Sequence, residues 1–221
     1  MAVLLAGGCR VWTMREEAPR IDGSLISMRV LQCEPGTSTD FRNEEFDEVL
    51  YVLDECTVVI DDAAHPVEPQ SGVFIPAKTT FRFENRGQDP ARFVSVQSPS
   101  TDSPPALSVV RLADQRAMPT ADRWYRVVID AEVTQFVGSI PPGRAPDHFH
   151  EYEEVLFILN GEGRMWAGDE NTPIAAGSCI YLPRRQVHCV ENAGTGELRL
   201  LGVFYPAGSP AVRYETATQN P

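Results

Sequence analysis

The fold is decided by the stretch GRAPDHFHEYEEVLFILNG at residues 143–161, together with GSCIYLPRRQVHCVEN at residues 177–192. In the first stretch His148, His150 and Glu154 follow the spacing His-x-His-x-x-x-Glu. Alternate residues of a β-strand face the same side, so this spacing predicts that the three side chains project onto one face. His188 lies in the second stretch, on a separate strand-like run, QVHCVEN.

Three imidazoles and one carboxylate form a donor set that is typical of a divalent transition metal ion. Such a set suits Fe²⁺, Mn²⁺, Ni²⁺, Zn²⁺ or Cu²⁺, whereas Ca²⁺ and Mg²⁺ prefer oxygen ligands. The chain contains only four histidines, and three of them fall within this pattern. The sequence therefore predicts one divalent metal ion held by His148, His150, Glu154 and His188.

The two stretches resemble the signature motifs of the cupin family. The first motif comprises Gly143, His148, His150, Glu154 and Gly161, and the second comprises Gly177, Pro183, His188 and Asn192. There are two departures from the family pattern. The interval from Gly143 to His148 is one residue shorter than usual, and Arg185 stands where the family has glycine. Neither departure affects a metal ligand, so the resemblance implies an all-β jelly-roll barrel around a metal site.

An internal repeat indicates that this unit occurs twice. Four pairs of turn residues are separated by 107 positions: Gly36 and Gly143, Pro76 and Pro183, Asn85 and Asn192, Pro99 and Pro206. The run EVLYVL at residues 48–53 also matches EVLFIL at residues 154–159. The repeat resembles a bicupin, with two tandem barrels. We predict a first barrel at residues 1–100, a Ser- and Pro-rich linker at 101–124, and a second barrel with its tail at 125–221.

The first copy lacks the metal-ligand set. Arg42, Glu44, Glu48 and Phe81 stand at the positions of His148, His150, Glu154 and His188. Arg42 and the two carboxylates are predicted to form a buried ion-pair cluster, and Phe81 to fill the fourth position with hydrocarbon. We therefore expect one metal ion per chain and a first barrel whose role is structural.

Composition limits the partners and the compartment. The chain has 221 residues, a formal net charge of −12 and no block of Lys and Arg, so neither nucleic acid nor an anionic membrane is an expected partner. No apolar run is long enough to span a bilayer or to act as a signal peptide. Five cysteines without a regular spacing indicate free thiols. A cytoplasmic location follows from these features.

Three residues beside the ligands are candidate catalytic groups. Arg184 and Arg185 lie on the turn before His188 and could grip a substrate carboxylate, although they could equally be solvated turn residues. Tyr152 is a candidate for proton transfer. The EVLFIL run predicts an apolar floor beside the ion. Trp166 is expected to pack between sheets or between subunits.

Three classes of function are compatible with this sequence. The favoured class is an Fe²⁺-dependent dioxygenase acting on a small organic acid or enol, because this ligand set recurs in dioxygenases of the family that the chain resembles. The second is a non-redox metal enzyme, such as an isomerase, lyase or decarboxylase. The third is a binding module without turnover. The substrate is predicted to be a small organic anion, and the assembly a homodimer.

Overall fold

A computed structural model describes residues 3–12, 20–120 and 123–211, and in these ranges the chain is almost entirely β-structure. The all-β prediction is therefore confirmed. The only helical elements in the described ranges are two 3₁₀ turns, Ala6–Gly8 and Leu112–Asp114. Neither is long enough to cross a membrane. The end of the predicted tail, from residue 212 onward, lies outside the described residues.

The strands of the first half and of the linker are β1 (Val3–Leu4), β2 (Arg10–Trp12), β3 (Arg20–Asp22), β4 (Ser27–Cys33), β5 (Gly36–Thr37), β6 (Phe41–Arg42), β7 (Phe46–Val52), β8 (Cys56–Ile60), β9 (Ala63–Val67), β10 (Ser71–Ile75), β11 (Thr80–Asn85), β12 (Ala91–Pro99), β13 (Ser108–Arg111) and β14 (Met118–Thr120). The second half contains β15 (Arg123–Asp130), β16 (Thr134–Ile140), β17 (Gly143–Arg144), β18 (Glu153–Asn160), β19 (Glu162–Ala167), β20 (Glu170–Ala175), β21 (Cys179–Leu182), β22 (His188–Asn192) and β23 (Leu198–Tyr205).

These strands form four antiparallel sheets, which we group into two barrels. In the first barrel a six-stranded sheet has the order β13-β10-β7-β12-β4-β3, and the smaller sheet has the order β5-β11-β8-β9 with β6 paired to β11. In the second barrel an eight-stranded sheet has the order β1-β2-β21-β18-β23-β16-β15-β14, and the smaller sheet has the order β17-β22-β19-β20. Each barrel is thus a sandwich of a large and a small sheet.

Each barrel has its own apolar core. In the first barrel the alternation along β11 buries Phe81 and Phe83, which pack with Phe41 and Phe93 at centroid distances between 4.3 and 5.8 Å. In the second barrel the core includes Leu156, Ile158, Met165, Leu200 and Phe204. A period of two along each strand places these side chains inside and the polar ones outside.

A third apolar cluster joins the two barrels. We call this contact, between the six-stranded and the eight-stranded sheets, the barrel seam. Its buried side chains include Val30, Val94 and Val96 from the first barrel, and Val137, Leu201 and Val203 from the second. Burying one such side chain contributes about 1.5 to 3 kcal/mol. The large sheets are therefore covered on both faces, and the barrels form one packed unit.

The internal repeat extends to individual hydrogen bonds. Nδ2 of Asn85 donates to the carbonyls of Cys33 and Asp89, at 2.9 and 2.8 Å. Nδ2 of Asn192 donates to the carbonyls of Ile140 and Gly196, at 2.8 and 2.7 Å. Each acceptor lies 107 residues from its counterpart, as the two asparagines do. Both halves thus keep the same buried amide to close the same turn, which supports a duplication of one unit.

The ends of the first half and the linker are tied into the sheets. β13, which lies within the predicted linker, pairs with β10 of the first barrel, and β14 pairs with β15 of the second. Near the N-terminus, β2 pairs with β21 and so extends the large sheet of the second barrel. The domain boundaries at residues 100 and 125 remain a prediction.

Glu153 connects the second barrel to the chain of the first. Its carboxylate accepts hydrogen bonds from the backbone N–H groups of Ser24, Leu25 and Ile26, at 3.1, 2.8 and 3.2 Å. The hydroxyl of Tyr181 donates a fourth, at 2.9 Å. Burial raises the pKa of Glu153, but the hydrogen bonds from Leu25, Ile26, Tyr181 and Ser24 together outweigh burial and hold that pKa below its ordinary value.

We predict that Glu153→Gln lowers the free energy of unfolding by about 2 kcal/mol near neutral pH, because hydrogen bonds to a charged acceptor are lost. The lowered pKa of Glu153 means that its contribution is complete above the ordinary value of 4.5. That contribution disappears as the pH falls through the lower, folded-state pKa. Urea denaturation should therefore show a difference between parent and variant that narrows below about pH 4. Glu170→Gln, at an exposed position, is the control, and an equal loss in both variants would contradict the prediction.

Candidate metal centre

His148 and His188 face each other across an isolated antiparallel bridge. The N–H of His148 donates to the carbonyl of His188 at 3.0 Å, and the N–H of His188 donates to the carbonyl of His148 at 2.8 Å. A bend at residues 151–152 separates His150 from β18, which begins only at Glu153. The strand alternation on which the predicted common face of His148, His150 and Glu154 was based therefore does not run through all three residues. The backbone bridge between His148 and His188, rather than strand alternation alone, brings the two motifs together.

The predicted ligands converge on one point. One ligand atom from each of His148, His150 and His188 lies within 4.8 Å of the others. Oε2 of Glu154 lies 3.8 Å from Nε2 of His150 and 3.8 Å from Nε2 of His188. Two atoms that each lie about 2.1 Å from one ion are separated by at most about 4.2 Å. The two Glu154 separations meet this limit, and the histidine atoms, at up to 4.8 Å, lie close to it.

Hydrogen bonds behind the rings orient the imidazoles. Nδ1 of His148 lies 3.0 Å from the carbonyl of Pro146, and Nδ1 of His188 lies 2.8 Å from the carbonyl of Gln186. A carbonyl can only accept, so each Nδ1 carries the proton and each Nε2 keeps its lone pair. An imidazole that carries its proton on Nδ1 can bind a metal through the lone pair of Nε2. The histidines and Glu154 thus fit a divalent metal ion both in geometry and in donor chemistry.

Tyr152 lies behind His150 rather than in front of it. Its hydroxyl is 3.0 Å from Nδ1 of His150 and donates to the carbonyl of Ser209 at 3.3 Å. The ring is buried and stacks on Phe204, with 4.1 Å between the centroids. With the hydroxyl proton directed at Ser209, the oxygen accepts a hydrogen bond from the N–H at Nδ1 and so fixes the tautomer of His150. Proton transfer by Tyr152 stays a prediction. The contact in the structure is between its hydroxyl and Nδ1 of His150, on the side of the ring away from the cluster.

The cluster opens into a cavity of about 80 Å³. Its walls are mainly apolar, with Phe136, Ile140, Leu156, Val190 and Leu200 among the lining residues. Leu156 comes from the EVLFIL run, whose neighbours Val155 and Phe157 point instead into the barrel seam. The apolar floor beside the ligands thus has the character that the sequence predicts. Such walls strengthen electrostatic interactions inside the cavity.

Arg184 and Arg185 lie outside this cavity. Nε of Arg184 donates to the carbonyl of Glu151 at 2.7 Å, and Nε of Arg185 donates to the Glu151 carboxylate at 2.8 Å. Neither is among the described residues that line the cavity. Arg185 has φ = 62°, in the left-handed region that glycine enters without strain, which gives a physical reason for the glycine usual at this position. Both side chains are directed towards Glu151 and not into the cavity. Binding of a substrate carboxylate by Arg184 and Arg185 is therefore not supported by their contacts.

The cavity instead contains a cation that the sequence analysis missed. Arg123 lines the wall, together with Thr120, Trp124, Tyr125 and Ser139. These residues lie on β14, β15 and β16, and β14 and Arg123 fall within the segment predicted to be a linker. No local motif marks Arg123. Only the pairing of β15 with β16 places it beside histidines that follow it by 25 residues or more.

The outer face of the small sheet carries Trp166. The Arg144 guanidinium carbon lies 4.0 Å from the ring centroid of Trp166, and the indole N–H donates to Glu191 at 2.8 Å.

Cys189, next to His188 in sequence, is fully buried, and burial raises its pKa to about 11. A thiol with this pKa stays protonated and unreactive near neutral pH. All five cysteines are free, as predicted, and all five are buried.

Sequence comparison identifies the two barrels. The chain matches the family described as Cupin domain at residues 29–97 and again at residues 136–204, and together these ranges cover more than half of its length. The chain belongs to the cupin family. The two matches coincide with the two barrels, so the bicupin architecture predicted from the internal repeat is confirmed.

Related cupins include proteins named for small organic acids. The chain is 36% identical over 67 residues to the oxalate-binding protein of Thermotoga maritima, a match that covers 29% of this chain and 55% of that protein. The chain spans about half the length of the curated relatives it matches.

Solved structures resemble the whole two-barrel unit. The putative glyoxylate induced protein of Pseudomonas aeruginosa aligns with a TM-score of 0.74 and 18% identity, over 99% of this chain and 87% of that one. Oxalate decarboxylase of Bacillus subtilis, which has Mn(II) centres, aligns with a TM-score of 0.66 and 15% identity, over 91% and 74%. At these identities the resemblance establishes the fold alone.

The first cupin domain has replaced the ligand set with other contacts. Glu48, the counterpart of Glu154, is buried and hydrogen-bonded by Arg29 at 3.1 Å, Asn43 at 2.8 Å and Gln97 at 2.9 Å, and also by the hydroxyl of Ser95. These donors occupy the acceptor positions of the Glu48 carboxylate. Hydrogen bonds from protein groups, and not a metal ion, therefore stabilise the Glu48 carboxylate.

The predicted buried cluster around Arg42 does not form. Arg42 pairs with Glu44 at 2.6 Å, but their side chains are 46% and 64% exposed, so the pair lies at the surface. The buried carboxylate of Glu48 pairs instead with Arg29, which lies 19 residues earlier in the chain. Phe81 is buried and stacks on Phe41 with 5.3 Å between the centroids, as the hydrocarbon prediction requires.

We predict that the chain binds one divalent transition metal ion, at the second cupin domain. His148→Ala should abolish tight binding because it removes one ligand of the cluster. Glu44→Ala is the control, since Glu44 stands in the first domain at the position that His150 has in the second, and it should leave the metal content unchanged. Elemental analysis of the purified chains provides the measurement. Two tightly bound ions per chain, or unchanged metal content in His148→Ala, would contradict this assignment.

We also predict that Tyr152→Phe weakens metal binding by about tenfold to a hundredfold, as is usual when the group behind a ligating histidine is lost. The variant keeps the stack on Phe204, so its stability should change little. Competition with a fluorescent chelator measures the affinity. Tyr205→Phe serves as the control because Tyr205 packs against the barrel seam. If Tyr152→Phe and the parent bind the metal with equal affinity, the hydroxyl of Tyr152 does not contribute to metal binding.

Proposed function

We propose that this bicupin is a metal-dependent enzyme acting on a small organic anion in its second domain. The observation that carries the proposal is the convergence of His148, His150, His188 and Glu154 at a cavity that Arg123 also lines. A purely structural ion would be fully enclosed by protein, whereas a catalytic one keeps a position open towards a cavity.

His148, His150, His188 and Glu154 would hold a divalent transition metal ion, which when bound acts as a Lewis acid or as a redox centre. The ligand set suits Fe²⁺, which the sequence favours. The structurally similar oxalate decarboxylase has Mn(II) centres and supports Mn²⁺ as the alternative. In His148 and His188, Nδ1 carries the proton and donates a hydrogen bond to a backbone carbonyl. These bonds keep the imidazoles in place while substrate enters and product leaves.

Arg123 is the residue we assign to substrate binding. It is the one arginine or lysine among the described residues that line the cavity. A guanidinium matches a carboxylate through two parallel hydrogen bonds, and in a largely apolar cavity such a bond is stronger than in water. Arg123 therefore takes the anchoring role that the sequence assigned to Arg184 and Arg185. The small size of the cavity favours a substrate with few heavy atoms.

Two reaction classes follow from this arrangement. Dioxygenation of a small organic acid or enol is the class that the sequence favours. Decarboxylation is the second, and it is supported by the relatives named for oxalate. A binding protein without turnover would use the same anchor and the same ion. Oxygen uptake and carbon dioxide release, measured on the metal-loaded chain with a panel of small mono- and dicarboxylates, separate the three. Uptake of oxygen identifies the first class, and carbon dioxide release without oxygen uptake identifies the second.

We predict that Arg123→Gln weakens binding of the active carboxylate by about tenfold to a hundredfold, because a charge-assisted contact is lost. Its metal content should stay the same. Arg184→Gln removes an equal charge outside the cavity and should bind the carboxylate like the parent. Calorimetric titration of both variants makes the comparison. If Arg184→Gln is impaired and Arg123→Gln is not, the anchor is on the turn before His188.

The assembly and the compartment remain predictions of the sequence. Light scattering of the full chain tests the homodimer. Fractionation of the cells that produce the protein tests the cytoplasmic location.

A further inference from the structure

A second cleft, distinct from the metal cavity, lies at the edge of the barrel seam. We call it the seam cleft; its volume is about 340 Å³. Its lining residues include Gln70 and Arg111 from the first barrel side and Trp124, Arg126, Glu197 and Arg199 from the second. It is built by both barrels and exists only because the two large sheets are packed together.

Strand register places two arginines around one tryptophan in this cleft. Trp124 of β15 is opposite Ser139 of β16, and Ser139 is opposite Arg199 of β23. Arg126 follows Trp124 by two residues and therefore projects from the same face of the sheet. The guanidinium carbons of Arg126 and Arg199 lie 5.6 and 5.9 Å from the ring centroid of Trp124. Both cations are thus directed into one small region.

Neither of these two cations has a carboxylate partner within the described chain. Arg126 donates to the carbonyl of Leu112 at 3.2 Å, and Arg199 donates to the side-chain carbonyl of Gln70 at 3.1 Å. Both acceptors are neutral. Arg111, at the rim of the cleft, differs because it pairs with Glu68 at 3.2 Å.

Part of each guanidinium is also buried without a hydrogen bond. Seven buried side-chain nitrogen or oxygen atoms in the described ranges have no partner there, and two of them are Nε of Arg126 and Nε of Arg199. Three more belong to Tyr51 and Gln135, which face the same seam. Buried polar groups are normally satisfied. The unpaired Nε donors of two arginines that have no carboxylate partner in the described chain are the chemistry of an anion site.

We propose that the seam cleft binds a small dianion, a phosphate or a dicarboxylate, between Arg126 and Arg199. Guanidinium groups bind both classes through paired, charge-assisted hydrogen bonds. A local positive site is unexpected in a chain of net charge −12, where solubility alone favours carboxylates. The proposal does not depend on the metal centre. Trp124 lines both the seam cleft and the metal cavity, so an anion bound in the cleft contacts a wall that the two sites share.

The test is calorimetric titration of the full chain with inorganic phosphate and, separately, with oxalate. Each titration is done on the parent and on His148→Ala, in which the metal centre is disrupted. We expect one saturable site that persists in His148→Ala. Tighter binding of phosphate identifies the ligand as a phosphate, and tighter binding of oxalate identifies it as a dicarboxylate. If binding is lost in His148→Ala, the anion occupies the metal centre, and the seam-cleft proposal is wrong while the proposed function stands.

Substitutions in the cleft should change the affinity in opposite directions. Arg126→Gln and Arg199→Gln should each weaken binding by about tenfold or more. Glu197→Gln should strengthen it, because one negative charge on the lining is removed while the acceptor for the Trp124 N–H is kept. Arg82→Gln, in the small sheet of the first barrel, removes the same charge elsewhere and should have no effect.

Thermal melting checks that each variant is folded. If an arginine variant does not fold, Glu197→Gln alone decides the matter, since it retains both cations. The absence of saturable binding in the parent overturns the proposal. So does unchanged affinity in the folded variants, in which case the arginines only stabilise the seam by stacking on Trp124.

Discussion

The structure depends on one strand, β18, that is buried on both faces. Its odd-numbered residues, such as Val155 and Phe157, pack into the barrel seam, and its even-numbered residues, such as Leu156 and Ile158, pack inside the second barrel. Two adjacent carboxylates therefore have separate environments. Glu153 faces the backbone N–H groups of residues 24–26, and Glu154 faces the histidines. The alternation of a β-strand thus gives two neighbouring acids different partners: one connects the barrels, and the other faces the histidine cluster.

The two cupin domains illustrate how a duplicated unit diverges. The turns are retained down to the hydrogen bonds of Asn85 and Asn192, because a buried amide in a closing turn is costly to replace. The ligand positions carry no such structural constraint once the ion is absent, and three of the four have changed residue type. The retained acid, Glu48, is surrounded by donors instead. A buried carboxylate needs either a metal ion or hydrogen bonds, and in the first domain hydrogen bonds supply this stabilisation.

Positive charge in this acidic protein is concentrated where ligands would need it. Most arginines on the described surface pair with acids, as Arg92 does with Asp54 and Arg185 with Glu151. Arg126 and Arg199 instead have neutral hydrogen-bond partners at the barrel seam. Arg123, on the same strand as Arg126, lines the metal cavity. β15 thus contributes cations to two cavities, on a segment whose sequence has no recognisable motif.

The sequence by itself determined the all-β class, the two cupin units and the four residues that converge in the second barrel. Each of these depends on the spacing of residues within a short segment or on an internal repeat, and both can be read directly from the order of residues. Tertiary structure alone decided that the histidines are joined by a bridge, that Arg184 and Arg185 are directed towards Glu151, and that Arg123 lines the cavity. These features arise from contacts between segments distant in sequence, and side-chain direction at a turn depends on its backbone angles, as at Arg185. Local pattern carries no information about which distant strand supplies the wall of a cavity, because packing of whole sheets decides it.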